Sequence, residues 1–195
     1  MTLLDLYRHE LNDALDSISD ADYRAMIKHL TKAAYTNTPV YVFGNGGSAS
    51  TADHFACDHS KGVATDTNLS PNVISLSSNM ALFSAIANDI GYQYVFSHQL
   101  RHFSTEKGIA IGISASGNSH NVCNGLIEAR RMGFMTIGLV GFDGGKMKGE
   151  DLCNFLVHVK SNNYGIVEDC HSIIMHTTSQ EIRTQYLKEG HVAKL

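Results

Sequence analysis

The chain predicts an α/β fold: a three-layer αβα sandwich on a parallel five-stranded sheet, with two helices ahead of the first strand. Three observations predict it. Five short apolar runs alternate with stretches of helical periodicity, the pattern of strands covered on both faces. The first 36 residues carry helical periodicity alone. Two runs of small polar residues, GNGGS and SASGNS, each follow an apolar strand and open a helix, where open α/β sheets bind their ligands.

Taken in order, Leu3, Leu4, Leu6, Tyr7, Leu11, Leu15 and Ile18 form one helical stripe, and Tyr23, Met26, Ile27, Leu30 and Ala34 form a second. Ser19-Asp20 between them reads as a break with a new N-cap. Asn37-Thr38-Pro39 ends the second helix, because the residue before a proline is pushed out of helical geometry. Strand Val40–Phe43 then leads to a helix from Ser48 to Lys61. Asn72–Leu76 is a short strand, with helical segments Met80–Ala87 and Tyr94–His102 after it. Strand Gly108–Ile113 precedes a helix from Asn118 to Met132, and strand Phe134–Val140 runs into the turn Gly141–Gly145. Phe155–Val159 is the last strand and Gly165–Leu187 the last helix. With no linker, repeat or low-complexity segment, the whole of 1–195 reads as a single domain.

Composition narrows the function classes. A chain of 195 residues, 43% hydrophobic, supports one sizeable core. The formal net charge is −4 with no block of lysine or arginine, so no nucleic-acid surface is expected. No apolar run approaches the roughly 18 residues of a membrane span. The N-terminal segment lacks the pattern of a signal peptide. Cys57, Cys123, Cys153 and Cys170 show no CxxC spacing, which argues against a disulfide framework or a thiolate zinc site and for a reducing cytoplasm. Ala193-Lys194-Leu195 loosely resembles a peroxisomal address, but three residues carry little information.

The chemistry concentrates in the two polar turns. Gly44, Asn45, Gly46, Gly47 and Ser48 sit between a strand and a helix N-terminus, where backbone N–H groups and the helix dipole favour an anion. Ser114, Ala115, Ser116 and Ser119 repeat the arrangement one unit later, with three hydroxyls. Either turn alone could be no more than a tight strand–helix connection. Together they suit a phosphate held by hydroxyls and helix dipoles. Neither is a Walker motif or GxGxxG. Beyond the first turn, His54 and Asp58 stand at i, i+4 on one helix face, able to do acid–base or metal chemistry.

GNGGS with a helical HFA after it, IANDIGY, GISASGNSHNV and GLVGFDGGKM, in that order, resemble the sugar isomerase (SIS) family over nearly the whole chain. The resemblance implies a parallel αβα sandwich assembled as a homotetramer, helices 3–36 taking part, with active sites at subunit interfaces. It implies an aldose–ketose isomerase converting sedoheptulose 7-phosphate to D-glycero-D-manno-heptose 7-phosphate in the cytoplasm, opening nucleotide-activated heptose synthesis for lipopolysaccharide or other surface glycans. Ser48, Ser114, Ser116 and Ser119 match its phosphate-binding hydroxyls. Ala115 stands where the family often has threonine and leaves only a backbone amide. Asn45 shapes the glycine turn, and Asp89 matches a sugar-hydroxyl contact. His54, Asp58, Glu168 and His176 match four positions that bind metal in some members, with Asp58 as base and His176 as acid. Isomerisation needs such a pair, because a proton leaves the carbon beside a carbonyl and returns to its neighbour.

Two of these positions depart from the family's Glu and Gln. Asp58 is one methylene shorter, and Glu168 is a carboxylate in place of an amide. Two carboxylates and two imidazoles make a firmer site for one zinc or similar divalent ion per subunit. Glu168 and His176 are, however, roughly 12 Å apart along a helix axis. His171, three residues from Glu168, is a rival ligand, and His59 adjoins Asp58 on another face. Two alternatives remain open: a non-catalytic SIS adaptor of the replication-initiator-associating type, and an isomerase of another phosphosugar.

Overall fold

The computed structural model describes residues 1–103 and 107–189. Five strands, β1 (Pro39–Gly44), β2 (Asn72–Ser75), β3 (Ile109–Ser114), β4 (Met135–Val140) and β5 (Phe155–His158), form one parallel sheet in the order β2-β1-β3-β4-β5. The helices are α1 (Leu3–Asp16), α2 (Asp20–Thr36), α3 (Gly47–Cys57), α4 (Met80–Ile86), α5 (Val95–His102), α6 (His120–Arg131), α7 (Gly145–Gly149) and α8 (Tyr164–Gln185).

Strand residues alternate between two apolar layers. Val40, Val42, Ile109, Ile111 and Ile113 pack with α2, α3 and α8, whereas Tyr41, Phe43 and Ala110 pack with α5 and α6. A sheet buried on both faces needs apolar residues at every position, which is why β3 is buried throughout.

The expected elements are present, with differences at their ends. The helix expected to run to Lys61 is α-helical only to Cys57 and continues as a π turn over Asp58–Val63. A second π turn, Ala87–Gly91, follows α4. The turn expected at Gly141–Gly145 opens the short helix α7. On α1, Tyr7, Leu11 and Leu15 pack on the core, but Leu3, Leu4 and Leu6 face solvent. Among the described residues no helix is long and apolar enough to cross a membrane. Ala193-Lys194-Leu195 lies outside the described residues.

Strand order decides where a ligand can sit. The chain moves outward from β1 to β2, then returns past β1 to β3. The crevice beyond the carboxyl ends of β1 and β3 is therefore the switch point. Gly44 pairs with Ile113, so the two polar turns leave the sheet side by side.

Candidate active site

Each polar turn delivers an open helix N-terminus to this crevice. Elsewhere, Thr2, Ser19, Asn79 and Asn163 cap α1, α2, α4 and α8 through their side chains. α3, with Gly46 as its N-cap, and α6, with Ser119, have no side-chain cap, so the N–H groups of their first two residues remain open to an anion, while those of Ala49 and Val122 are taken by Gly46 and Asn121. Gly46 adopts φ 55° and ψ −124°, a conformation that favours glycine. At Gly47 the backbone is unstrained, but a Cβ there would lie 2.5 Å from the Glu168 carboxylate, the movable end of a long side chain.

The serine hydroxyls expected to contact phosphate stand at the two turns. Ser48 and Ser114 are buried at the turns. Ser114 donates to the Ser119 hydroxyl at 3.1 Å, and the Ser116 hydroxyl accepts from the Asn118 N–H at 3.3 Å. The Ala115 carbonyl accepts from the Gly141 N–H at 2.7 Å, tying this turn to the end of β4. Asp89 is exposed on the second π turn and accepts from Asn88 at 2.7 Å.

α3 and α8 lie side by side and run in the same direction. Gly47 meets Glu168, the Thr51 and Ser172 hydroxyls are 3.4 Å apart, and His54 meets His176. Matched spacings from the first pair, seven residues on one helix and eight on the other, bring the two histidines together. His54 Nδ1 is 3.2 Å from His176 Nε2. His54 Nε2 is 3.4 Å from Asp58 Oδ1, and His176 Nε2 is 3.8 Å from Asp58 Oδ2. One donor atom from each of the three residues fits within a 4.8 Å span, so the triad can hold a metal ion. Two imidazoles and one carboxylate are a zinc-type donor set with a position left for another ligand.

Of the four ligands expected, the structure gathers three. Glu168 falls outside the triad, because two helical turns along α8 carry it to the start of α3. His171 and His59 are not rivals, since both are 1% exposed. Burial holds His171 neutral, down to about 4, weakly opposed by the Val140 backbone, which falls short of hydrogen-bond geometry. Burial likewise drives His59 down to about 3, opposed by its 3.2 Å contact with the Phe55 carbonyl. These are packing histidines.

Other residues stand at the site that carried no role in the sequence reading. Ser77, beyond β2, donates to the Gly44 carbonyl at 3.0 Å. Met80, Phe83 and Tyr92 line a cavity of about 190 Å³ against Gly44, Asn45 and Gly46. Tyr92 and Asn121, from the IANDIGY and GISASGNSHNV segments, both donate to the Asn45 side chain; those segments were the available signal, but Asn45 is remote from both in sequence.

Residues 6–141 match the model of the SIS domain family. The phosphoheptose isomerase of Aliarcobacter butzleri (strain RM4018) is 41% identical over 143 residues, 73% of this chain and 74% of that protein. That of Helicobacter pylori (strain P12) is 32% identical over 170 residues, 87% and 86%. Among solved structures, phosphoheptose isomerase GmhA from Neisseria gonorrhoeae superimposes with a TM-score of 0.80 at 26% identity, over 92% of this chain and 94% of that one. A phosphoheptose isomerase from Francisella tularensis gives 0.82 at 24% identity, over 95% and 100%, a likeness of fold.

Proposed function

The chain belongs to the SIS domain family, and from that premise we propose that it is a phosphoheptose isomerase, converting sedoheptulose 7-phosphate to D-glycero-D-manno-heptose 7-phosphate. The observation that carries the reading is the meeting of His54, Asp58 and His176 two helical turns beyond an open helix N-terminus. The names of the curated relatives support it.

Spacing supports the seven-carbon length. From Gly47 to His54 α3 rises roughly 10 Å. An open seven-carbon chain with its phosphoester spans about 10 Å at ordinary bond lengths. A phosphate on the two turns, contacted by Ser48, Ser114, Ser116 and Ser119, therefore sets the far end of the sugar beside Asp58 and His176. There the Asp58 carboxylate takes the proton from the carbon next to the carbonyl and returns it to the neighbouring carbon. His176 moves the proton between the two oxygens. His54, Asp58 and His176 would hold zinc or a similar divalent ion, which supplies positive charge where the oxygens become negative.

The same reading takes the enzyme as cytoplasmic, supplying heptose for lipopolysaccharide, and as a homotetramer with sites at subunit interfaces. The solvent-facing Leu3, Leu4 and Leu6 of α1 support a partner on that helix. Asp58 and Glu168, both departing from the family pattern, favour a second reading, an isomerase of another phosphosugar. The filled triad speaks against a non-catalytic adaptor.

The test is turnover of sedoheptulose 7-phosphate beside other ketose phosphates, with wild type and His176→Ala, and metal content after purification without added metal or chelator. Turnover lost in H176A is expected. No turnover on any sugar phosphate overturns the enzyme reading, and full activity in H176A overturns the role of His176.

A further inference from the structure

The two polar turns are joined through one pair of side chains. Asn45 lies between Gly44 and Gly46 in the first turn; Asn121 is the second residue of α6, just past the second turn. Their amides form a reciprocal pair. Asn45 Nδ2 donates to Asn121 Oδ1 at 2.8 Å, and Asn121 Nδ2 donates to Asn45 Oδ1 at 2.8 Å. The Val122 N–H also donates to Asn121 Oδ1, at 3.0 Å, which orients this amide with its NH₂ toward Asn45. The Tyr92 hydroxyl donates to Asn45 Oδ1 at 2.8 Å, so that oxygen accepts twice. Asn121 is 2% exposed, so water cannot easily replace a lost partner.

We propose that Asn121 and Tyr92 are positioning residues for phosphate: by clasping the Asn45 amide they hold the β1–α3 turn in register with the β3–α6 turn. The phosphate site then behaves as one unit, although its two halves are some 70 residues apart in sequence. A phosphate bridging two helix N-termini needs both sets of N–H groups aimed at one point, and a turn containing three glycines does not hold that aim by itself. Ser77 fixes Gly44 from the β2 side, and the amide pair fixes the next residue from the β3 side. Neither Asn121 nor Tyr92 needs to touch the ligand.

The inference rests on the phosphate-binding part of the proposed function and leaves the identity of the sugar aside. Its test is a double-mutant cycle on Asn45→Leu and Asn121→Leu, near-isosteric changes that remove the amides, with Tyr92→Phe as a milder third variant. Inorganic phosphate binding is measured by calorimetry, and sedoheptulose 7-phosphate kinetics beside it. If the residues act through one clasp, N45L and N121L each weaken phosphate about tenfold, and the double variant also about tenfold, not a hundredfold. Y92F weakens it about threefold. In turnover the loss falls on KM, with kcat nearly unchanged. A purely structural Asn121 would lower the melting temperature and leave the phosphate affinity of the folded protein alone. That result, or additive effects in the cycle, overturns the proposal. If N121L does not fold, Y92F decides: unchanged phosphate affinity overturns the clasp. Phosphate binding with the expected cycle but no turnover would sink the isomerase reading alone; turnover with an additive cycle would sink the clasp alone.

Discussion

Two adjacent glycines in the first turn have different physical requirements, and substitution separates them. At Gly46 a Cβ meets nothing within 4 Å, but φ is +55°. Gly46→Ala therefore costs backbone strain of about 1–3 kcal/mol, with no clash. At Gly47 the obstacle is the end of the flexible Glu168 side chain, so Gly47→Ala displaces that carboxylate and costs less. In thermal melts G46A should fall further than G47A, by several degrees; the reverse order would show that the Glu168 contact is rigid. At Asp58 the expectation concerns rate. Asp58→Asn keeps the shape and removes the base, and kcat on sedoheptulose 7-phosphate should fall about 10²–10⁴-fold with the fold intact by circular dichroism. A D58N variant retaining most of its kcat would move the base elsewhere. At this scale legibility depended on sequence distance. His54 and Asp58 could be paired at sight because i, i+4 is a fixed helical relation. Asn45 with Asn121 could not, because only the strand register places them together.

Among the elements, the helix starts divide into capped and open, and serine serves both kinds. Ser19 accepts from the Asp22 N–H at 3.3 Å and closes the start of α2. Ser19→Ala should cost about 1 kcal/mol of unfolding free energy. Ser119 stands at the start of α6, makes no cap bond and accepts instead from Ser114. Ser119→Ala should barely change unfolding in urea, yet weaken phosphate binding severalfold. A matching loss of stability in both variants would mean that Ser119 caps α6 after all. The strands and long helices were legible because periodicity reports them directly. The two π turns were not. Asp58 opens one and Asp89 lies in the other, so both carboxylates singled out in those segments leave helices at points where α geometry relaxes. The pattern of apolar residues there still looks helical, so the sequence carries no mark of the change.

For the whole molecule, alternation of strands and helices was enough to predict a parallel sheet with covered faces, and turn chemistry was enough to single out the two uncapped helix starts proposed to hold phosphate. Strand order was not readable, and with it the fact that the two turns are neighbours. Glu168 shows the same limit: its helix was expected, but which turn of α8 faces which turn of α3 is settled by packing. Packing also sorts the eleven histidines, and burial places two of them to weaken the fold in acid. His59 and His171 are buried and held neutral, to about 3 and about 4, by desolvation. The unfolded chain protonates both below the ordinary imidazole value of about 6.5, while the native state does not until far lower pH. Stability from these groups is therefore complete above about 6.5 and lost as the solution acidifies toward their folded values. Each one costs about 2 kcal/mol between pH 6.5 and pH 5, at 1.36 kcal/mol per unit. Urea unfolding of metal-free protein at pH 7.5, 6 and 5 should show that decline, and His171→Leu should show a shallower one, because its buried site no longer competes with a titrating unfolded state. Parallel declines in wild type and H171L would mean that His171 gains a proton without leaving its place, and that the carboxylates alone govern acid unfolding.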